Sequence, residues 1–587
     1  MSVLANQDAY KLRRLNSLKA VIMIFGILLV GRLFYRQIIE RSQFVALAEK
    51  QYYTKIDQPA QRGQIYIQDK DSQNLVDSTQ DGLFPVASNL ELFNITAIPK
   101  QISDKRETAK KLAPLIEMSE DDLFNLINNE RLYLPPLKKR VSKDIADKVK
   151  DLKITGISTE SQYYRFYPEN QFLSQVIGFV DAEGSGRYGI EEYYDGLLRG
   201  DGGVLTGVKD NMGKIVEVQQ SEPGKPGADI ALTIDRSIQY VAQEKLKQGV
   251  QKYGAEGGSV IIMDPKTGGI LAMASEPSYD PNKFNEVKTE DQSIFLNPST
   301  SLNWEPGSIF KPVIVGIALS EKKVEPDSKP DEIPGGFSNK ITVSGYEIHN
   351  ALDQPYGYES VTEILQNSDN IGMVWIADKM ENNTIASFIK KFGFNNKTGI
   401  DVAGEASGQM SAPQQWRDVT RATISFGQGI SVTPIQIVQA YSAIANGGKL
   451  VKPHLLDKVI DSSGSVRNVL PEEKSQVISK EDDDKLKEML VNVVVNGHGK
   501  LAGVEGFRVA GKTGTAQVPK DGGGYEEGVS IGSFAGFAPA DDPKYVMLVK
   551  LNKPKSVQWA ESSAAPVFGE ISDWLLNSYY KLPKTAQ

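Results

Sequence analysis

The chain of 587 residues is long enough for two or more domains. With 40% hydrophobic and 24% charged residues it reads as globular, and a net charge of −8 argues against nucleic acid as its main partner. The absence of cysteine excludes disulfides, cysteine–zinc sites and thiol catalysis. Its three histidines, His349, His454 and His498, have no metal-ligand spacing between them. Neither a metal nor a cofactor is expected, and any Ser-His-Asp triad has to use one of those three.

Residues 1–19 are polar and basic, with Lys11, Arg13, Arg14 and Lys19, and are expected to form a short tail. Ala20 to Gly31 is unbroken apolar sequence. As a helix that run spans only ~18 Å, short of a ~30 Å hydrocarbon core. Lys19 and Arg32 can snorkel, and Leu33, Phe34 and Tyr35 extend the apolar surface, so one membrane anchor is expected over residues 20–38. The competing reading is a cleaved signal peptide, but Ala46-Leu47-Ala48, which resembles a cleavage site, lies too far beyond the run. Basic residues flank both ends, so charge does not set the orientation. No second apolar span follows, which puts everything after residue 40 on one side.

Residues 39–250 read as a mixed α/β domain with a spacer or docking role. Arg62-Gly63-Gln64-Ile65-Tyr66 begins a strand, Thr108–Asn129 has helical spacing, and Asn170–Val180 is strand-like. Gly184-Ser185-Gly186-Arg187-Tyr188-Gly189 matches G-x-G-x-x-G. The polar stretch after it supplies no second parallel strand, so a glycine turn is preferred to a dinucleotide site. Residues 251–580 have a different texture. Ser259–Met263 and Ile270–Ser275 form a hairpin signal across Asp264-Pro265-Lys266-Thr267-Gly268-Gly269. Helices dominate from Ser308 to about Asn446. Three strands follow at Phe507–Val518, Val529–Ala538 and Tyr545–Leu551, then a helix from Ala565 to about Tyr579. This order predicts one α+β domain whose antiparallel sheet is assembled from both ends of the region around a helical insertion. Asp521-Gly522-Gly523-Gly524 is expected to be a flexible loop, and residues 581–587 a short tail.

The chemistry-bearing stretch is Trp304-Glu305-Pro306-Gly307-Ser308-Ile309-Phe310-Lys311-Pro312, a Pro-Gly loop running into an apolar helix. Ser308 sits at the helix start and Lys311 one turn later on the same face. A serine hydroxyl needs a base to become a nucleophile. Lysine can be that base only when neutral, at a cost of about 4–5 kcal/mol at pH 7 from an unperturbed pKa of ~10.4. Burial and cationic neighbours have to supply it. Ser368-Asp369-Asn370 and Lys512-Thr513-Gly514 complete an ordered set of three motifs that is far stronger than any member alone. Ser368 is a short hydroxyl relay for protonating a leaving amine. Asn370 can bond both Lys311 and a substrate amide. Lys512 discourages protonation of Lys311 and attracts a carboxylate-ended substrate. Thr513 and Thr515 can bond that carboxylate, and side-chain-free Gly514 lets substrate lie against the strand. The backbone N–H groups of Ser308 and Thr515 are the expected oxyanion donors.

On these motifs the chain resembles the class B penicillin-binding proteins, the monofunctional D,D-transpeptidases. Further likenesses are Arg62-Gly63-Gln64-Ile65, Arg165-Phe166-Tyr167-Pro168, Gly186-x-x-Gly189-Ile190-Glu191 with Leu198-Arg199-Gly200, Asp264-Pro265-x-Thr267-Gly268, and Ser425-Phe426-Gly427-Gln428-Gly429. The pedestal motif at Gly186 displaces the dinucleotide reading. The resemblance implies a cytoplasmic N-terminus, a single plasma-membrane anchor and an extracytoplasmic catalytic domain raised on a pedestal (residues 39–250). It implies that Ser308 attacks the D-Ala-D-Ala end of a peptidoglycan stem peptide, releases D-Ala and passes the acyl group to a neighbouring amine. β-Lactams acylate the same serine. A SEDS-family glycosyltransferase and other divisome or elongasome membrane proteins are the implied partners. Glu305-Pro306-Gly307 resembles the division branch more than the elongation branch. No glycosyltransferase domain precedes the pedestal, which excludes a bifunctional enzyme, and wall-binding repeats are not expected beyond the last helix.

Two other classes compete. A D,D-carboxypeptidase or β-lactamase hydrolyses through the same acyl-enzyme, but the long pedestal and anchor speak against it. A β-lactam sensor or inactive scaffold needs a signalling domain or a lost motif residue, and neither is present.

Overall fold

The computed structural model describes residues 2–45, 53–58, 60–69, 82–132, 134–209, 215–222, 224–351, 353–520 and 524–584. Ala46-Leu47-Ala48 and Asp521-Gly522-Gly523 lie outside them.

The N-terminus is one helix, Ser2–Phe34, which continues as a π-helical turn over Tyr35–Ile39. The basic segment expected to be a tail is thus continuous with the apolar run. The stretch Tyr10–Ile39, 30 residues with a mean hydropathy of 2.0 in its most apolar window, buries none of that window against the rest of the protein. It is about 45 Å long at 1.5 Å per residue, enough to cross a bilayer.

The next region is built on a seven-stranded sheet. Its spatial order is Val466–Asn468, Leu456–Ile460, Asp229–Asp235, Ile65–Gln68, Leu83–Ala97 and Lys138–Val141, with Ile157–Phe166 also paired to the long strand Leu83–Ala97. Ile65–Gln68 runs parallel to Asp229–Asp235, and the remaining pairs are antiparallel. Two strands are therefore contributed from beyond residue 450, so this sheet ties the N-terminal and C-terminal halves together. Helices Lys105–Ile116, Glu120–Ile127 and Lys143–Asp151 cover the distal end, with Ile95, Leu112, Ile116, Leu123 and Val149 in its core.

Thr108–Asn129 is helical as its spacing suggests, and one expectation for this region, a strand at Asn170–Val180, is corrected. Thr108–Asn129 is two helices, because Glu117 turns left-handed (φ 54°) and the Ser119 side chain caps a new helix by accepting from Asp122 N at 3.0 Å. Asn170–Val180 is not one strand. Left-handed Leu173 starts a helical turn at Ser174–Ile177, and only Phe179–Val180 pairs, with Gly186–Arg187. Ser174 to Ile177 are all buried, and a run buried all round carries no period that separates strand from helix. The glycine segment 184–189 supplies the turn of this two-residue hairpin and opens the helix Gly189–Tyr193.

The catalytic sheet matches its expected strands. In order, Ile270–Glu276, Gly257–Met263, Tyr545–Asn552, Tyr525–Ala538 and Ala510–Pro519 are all antiparallel. Helices Arg236–Tyr253 and Ala564–Trp574 pack on its outer face through Leu246, Val260, Val549, Phe534 and Phe568. The helical insertion fills the inner face, centred on Lys311–Ser320, which is buried from Lys311 to Leu319. A helix buried on every side matches its unbroken apolar sequence.

A fully buried carboxylate holds the pedestal motifs together. Glu191 accepts from Arg62 Nε at 2.8 Å, Arg165 Nε at 2.6 Å and Tyr167 OH at 3.3 Å. Arg62 also pairs with Asp195 at 2.8 Å, and Arg165 Nη1 donates to Gly63 O at 2.8 Å. Three segments distant in sequence thus converge on one acid. Glu191→Ala strips two buried guanidiniums of their common partner, and should cost about 3–5 kcal/mol. The measurement is denaturant unfolding of the full chain, in which the pedestal transition moves to lower denaturant.

Candidate active site

The turn carrying Ser308 is clamped before the helix begins. Trp304 exchanges backbone hydrogen bonds with Val432, both at 2.9 Å. The Glu305 carboxylate accepts from Gly429 N at 2.9 Å and Tyr525 OH at 3.0 Å. Gly307 N donates to Gly427 O at 3.1 Å. A Cβ on Gly427 (φ 81°) would lie 2.1 Å from Gly307 O, so the loop Ser425–Gly429 approaches the turn only with glycine there. Gly307–Phe310 is a 3₁₀ turn leading into the helix Lys311–Ser320, with Pro312 in its first turn, where its missing N–H costs nothing.

Ser368-Asp369-Asn370 is the tight link between helices Val361–Asn367 and Asn370–Asp378. Ser368 caps the first helix in a left-handed conformation (φ 57°). Asp369 caps the second, its side chain accepting from Ile371 N at 2.7 Å. This explains the middle residue of the motif, which the motif's chemistry leaves without a role. Asn370 Oδ1 accepts from Lys311 Nζ at 2.8 Å, while its amide nitrogen donates to His349 O at 2.9 Å.

The two lysines and Ser368 meet in one network. Lys311 Nζ lies 2.6 Å from Ser368 O and 3.2 Å from Ser368 Oγ. Lys512 Nζ lies 3.1 Å from the same Oγ and donates to Thr513 O at 3.2 Å. Both lysines are 0% exposed. Burial pushes Lys311 well below the usual lysine range, and Lys512 pushes it further, against the opposing pull of Asp369 and Glu359. Burial likewise brings Lys512 down to about 7, with Glu561 opposing. Desolvation is thus the larger cause at Lys311 and the second cation the smaller. With its amine neutral, Lys311 donates to Ser368 O and Asn370 Oδ1 and keeps a lone pair.

A cleft opens over these lysines, lined by Ser308, Ser368, Asn370, Thr513 and Thr515. Ser308 Oγ has no hydrogen bond among the described residues. Thr513 Oγ1 accepts from Lys512 at 3.3 Å, and Thr515 Oγ1 accepts from Ala560 N at 3.1 Å, which ties the motif strand to the C-terminal turn Ala560–Ser562. Gly514 does not line the cleft. A Cβ there would stand 2.8 Å from Ile309 Cγ2 and 2.9 Å from Ser533 Oγ, so its bareness seats the Ser308 turn on the strand rather than making room for substrate. The cleft wall also holds Phe426 and Gln428 of the Ser425–Gly429 motif, and Tyr356, His498, Trp559 and Glu561, which belong to no motif. Nothing in the local sequence of these last four points to a site. They reach the cleft through tertiary folding alone.

Residues 258–573 match the family model for the penicillin binding protein transpeptidase domain, and residues 57–232 match the penicillin-binding protein dimerisation domain. The chain is 34% identical over 564 residues to the stage V sporulation protein D of Bacillus subtilis, covering 94% of this chain and 84% of that protein. It is 31% identical over 502 residues to the peptidoglycan D,D-transpeptidase FtsI of Escherichia coli, covering 84% and 82%. Penicillin binding protein 3 from Mycobacterium tuberculosis, solved in complex with aztreonam, aligns at a TM-score of 0.68 and 26% identity over 90% of this chain and 98% of that one. A dimerisation domain followed by a transpeptidase domain, matched over more than four fifths of these relatives' length, makes this chain a class B penicillin-binding protein.

Proposed function

We propose that this chain is a serine acyltransferase that cross-links peptidoglycan, with Ser308 as nucleophile and Lys311 as its base. Residues 251–580 are the transpeptidase domain on this reading, and residues 39–250 a non-catalytic pedestal above the anchor at 20–38. The observation that carries it is the dry amine of Lys311, one turn from Ser308 and bonded to Ser368 and Asn370. Neutralising a lysine at pH 7 costs about 4–5 kcal/mol, and burial is what offsets it here.

The chemistry follows from the positions. Lys311 takes the Ser308 proton as Oγ attacks the carbonyl of the penultimate D-Ala of a stem peptide. The backbone N–H groups of Ser308 and Thr515 receive the oxyanion. Ser368, between the two lysines, passes a proton to the departing D-Ala nitrogen. Thr513 and the Lys512 cation hold the terminal carboxylate. An amine from a neighbouring strand then attacks the Ser308 ester and restores the hydroxyl. A β-lactam enters the same first step. The relatives named for sporulation and for D,D-transpeptidation support a septal wall as the product. The N-terminus lies in the cytoplasm and the catalytic domain outside it. A SEDS-family glycosyltransferase is the membrane partner, contacted through anchor and pedestal.

Ser308→Ala should abolish covalent labelling by a fluorescent penicillin, read on a denaturing gel; undiminished labelling refutes the nucleophile. Lys311→Arg should be nearly as damaging, because arginine does not deprotonate.

The acylation rate should be bell-shaped in pH. It falls on the acid side as Lys311 protonates, and on the alkaline side, above about 7, as Lys512 loses the charge that holds a carboxylate. Stopped-flow acylation by a carboxylate-bearing penicillin checks this, and Lys512→Arg should remove the alkaline limb alone.

A further inference from the structure

Transfer to an amine poses a proton problem that acylation does not. The acceptor reaches the cleft as an ammonium, since a lysine-type primary amine has a pKa of ~10.4 in water. It attacks only after losing a proton. The floor of the cleft already carries two lysines brought close to neutrality, so a third cation is disfavoured there unless another group takes its charge.

One pair on the wall is built for that. His498 and Glu561 both line the cleft, and His498 Nδ1 stands 2.7 Å from Glu561 Oε2. A carboxylate on Nδ1 selects the tautomer with the proton on that nitrogen, leaving the Nε2 lone pair free. Nε2 has no hydrogen-bond partner among the described residues. The loop carrying the imidazole is fixed, because Gly497 N and Gly499 N both donate to Val493 O at 3.1 Å, closing the end of the helix Lys480–Val495. Glu561 is fixed through its neighbour Ala560, whose N–H donates to Thr515 Oγ1 on the motif strand. Of the ionisable groups, Glu561 on the C-terminal turn and Tyr356 line the cleft with the imidazole, and Glu561 also acts on Lys512 of the motif strand.

We propose that His498 is the proton acceptor for the incoming amine and that Glu561 is its positioning residue. This rests on the acyltransferase reading above. In the step, His498 Nε2 takes one proton from the acceptor ammonium, giving a free amine and an imidazolium paired with the Glu561 carboxylate. The amine nitrogen then bonds to the carbonyl carbon of the Ser308 ester, the carbon–Oγ bond breaks, and the remaining surplus amine proton returns to Ser308 Oγ through Lys311. The imidazolium gives its proton to solvent at the cleft mouth. The ligand class so defined is a primary amine, and the pair acts in the second half-reaction only.

The test uses the full-length protein in detergent, a D-alanyl thioester as donor and D-alanine as acceptor amine, scoring amide against acid product. His498→Gln should lower the amide-to-acid ratio at least tenfold, while fluorescent-penicillin acylation stays within twofold of wild type. Glu561→Gln should leave the imidazole but lower the amide-to-acid ratio, and Glu561→Asp, which keeps a carboxylate for Nδ1, should restore it. A purely structural role is not rescued by the aspartate. An unchanged product ratio in His498→Gln, or acylation and aminolysis falling together in both variants, overturns the proposal. Failure of the wild-type protein to acylate at Ser308 overturns the underlying reading instead.

Discussion

The desolvation of one amine organises the catalytic half of this protein. Lys311 belongs to a helix buried on all sides, and its nitrogen is hydrogen-bonded to a carbonyl, a hydroxyl and an amide oxygen. No residue in the three motifs could keep that amine neutral on a solvated surface. The sheet delivers Lys512 from one side, and the tight interhelical link delivers Ser368 and Asn370 from the other. Glu305 and the Ser425–Gly429 loop hold the Ser308 turn in place from the front. Each is a device for keeping a polar cluster dry yet open to the cleft above.

Burial is used in the opposite sense in the pedestal. Glu191 is as inaccessible as Lys311, but it faces two guanidiniums and a phenol. There the charges are paired and the arrangement is structural. In the cleft two like-charged side chains share one hydroxyl, so charge is suppressed instead. The same low-polarity interior therefore yields a fastener in one place and a base in the other, according to the sign of the neighbour.

Much of this was legible in the chain. The catalytic strands announce themselves as apolar runs between turn residues, and the buried helix after Ser308 by its unbroken apolar sequence. The three motifs name the lysines and hydroxyls because each needs a particular functional group. What stayed hidden has physical reasons. Ser174 to Ile177 is buried all round and so carries no period. The break at Glu117 depends on a left-handed residue that is not glycine. Asp369 caps a helix and Gly514 admits Ile309, roles set by neighbours remote in sequence. His498 and Glu561 are 63 residues apart and meet only because a helix end and a C-terminal turn close on the same strand. The weighting of Lys512 against burial was also out of reach, since desolvation is a property of the packed state.

The sheet shared by the two halves has a mechanical corollary. Leu456–Ile460 leaves the catalytic region to pair along Asp229–Asp235, which in turn lies beside Ile65–Gln68. A load applied to the N-terminal half is therefore borne as shear across hydrogen-bonded ladders rather than absorbed by a hinge. Severing the chain between the halves would bare a row of unsatisfied backbone donors and acceptors on Leu456–Ile460, an adhesive edge for other chains. The natural unit of this molecule, for excision or for exchange with a relative, includes both.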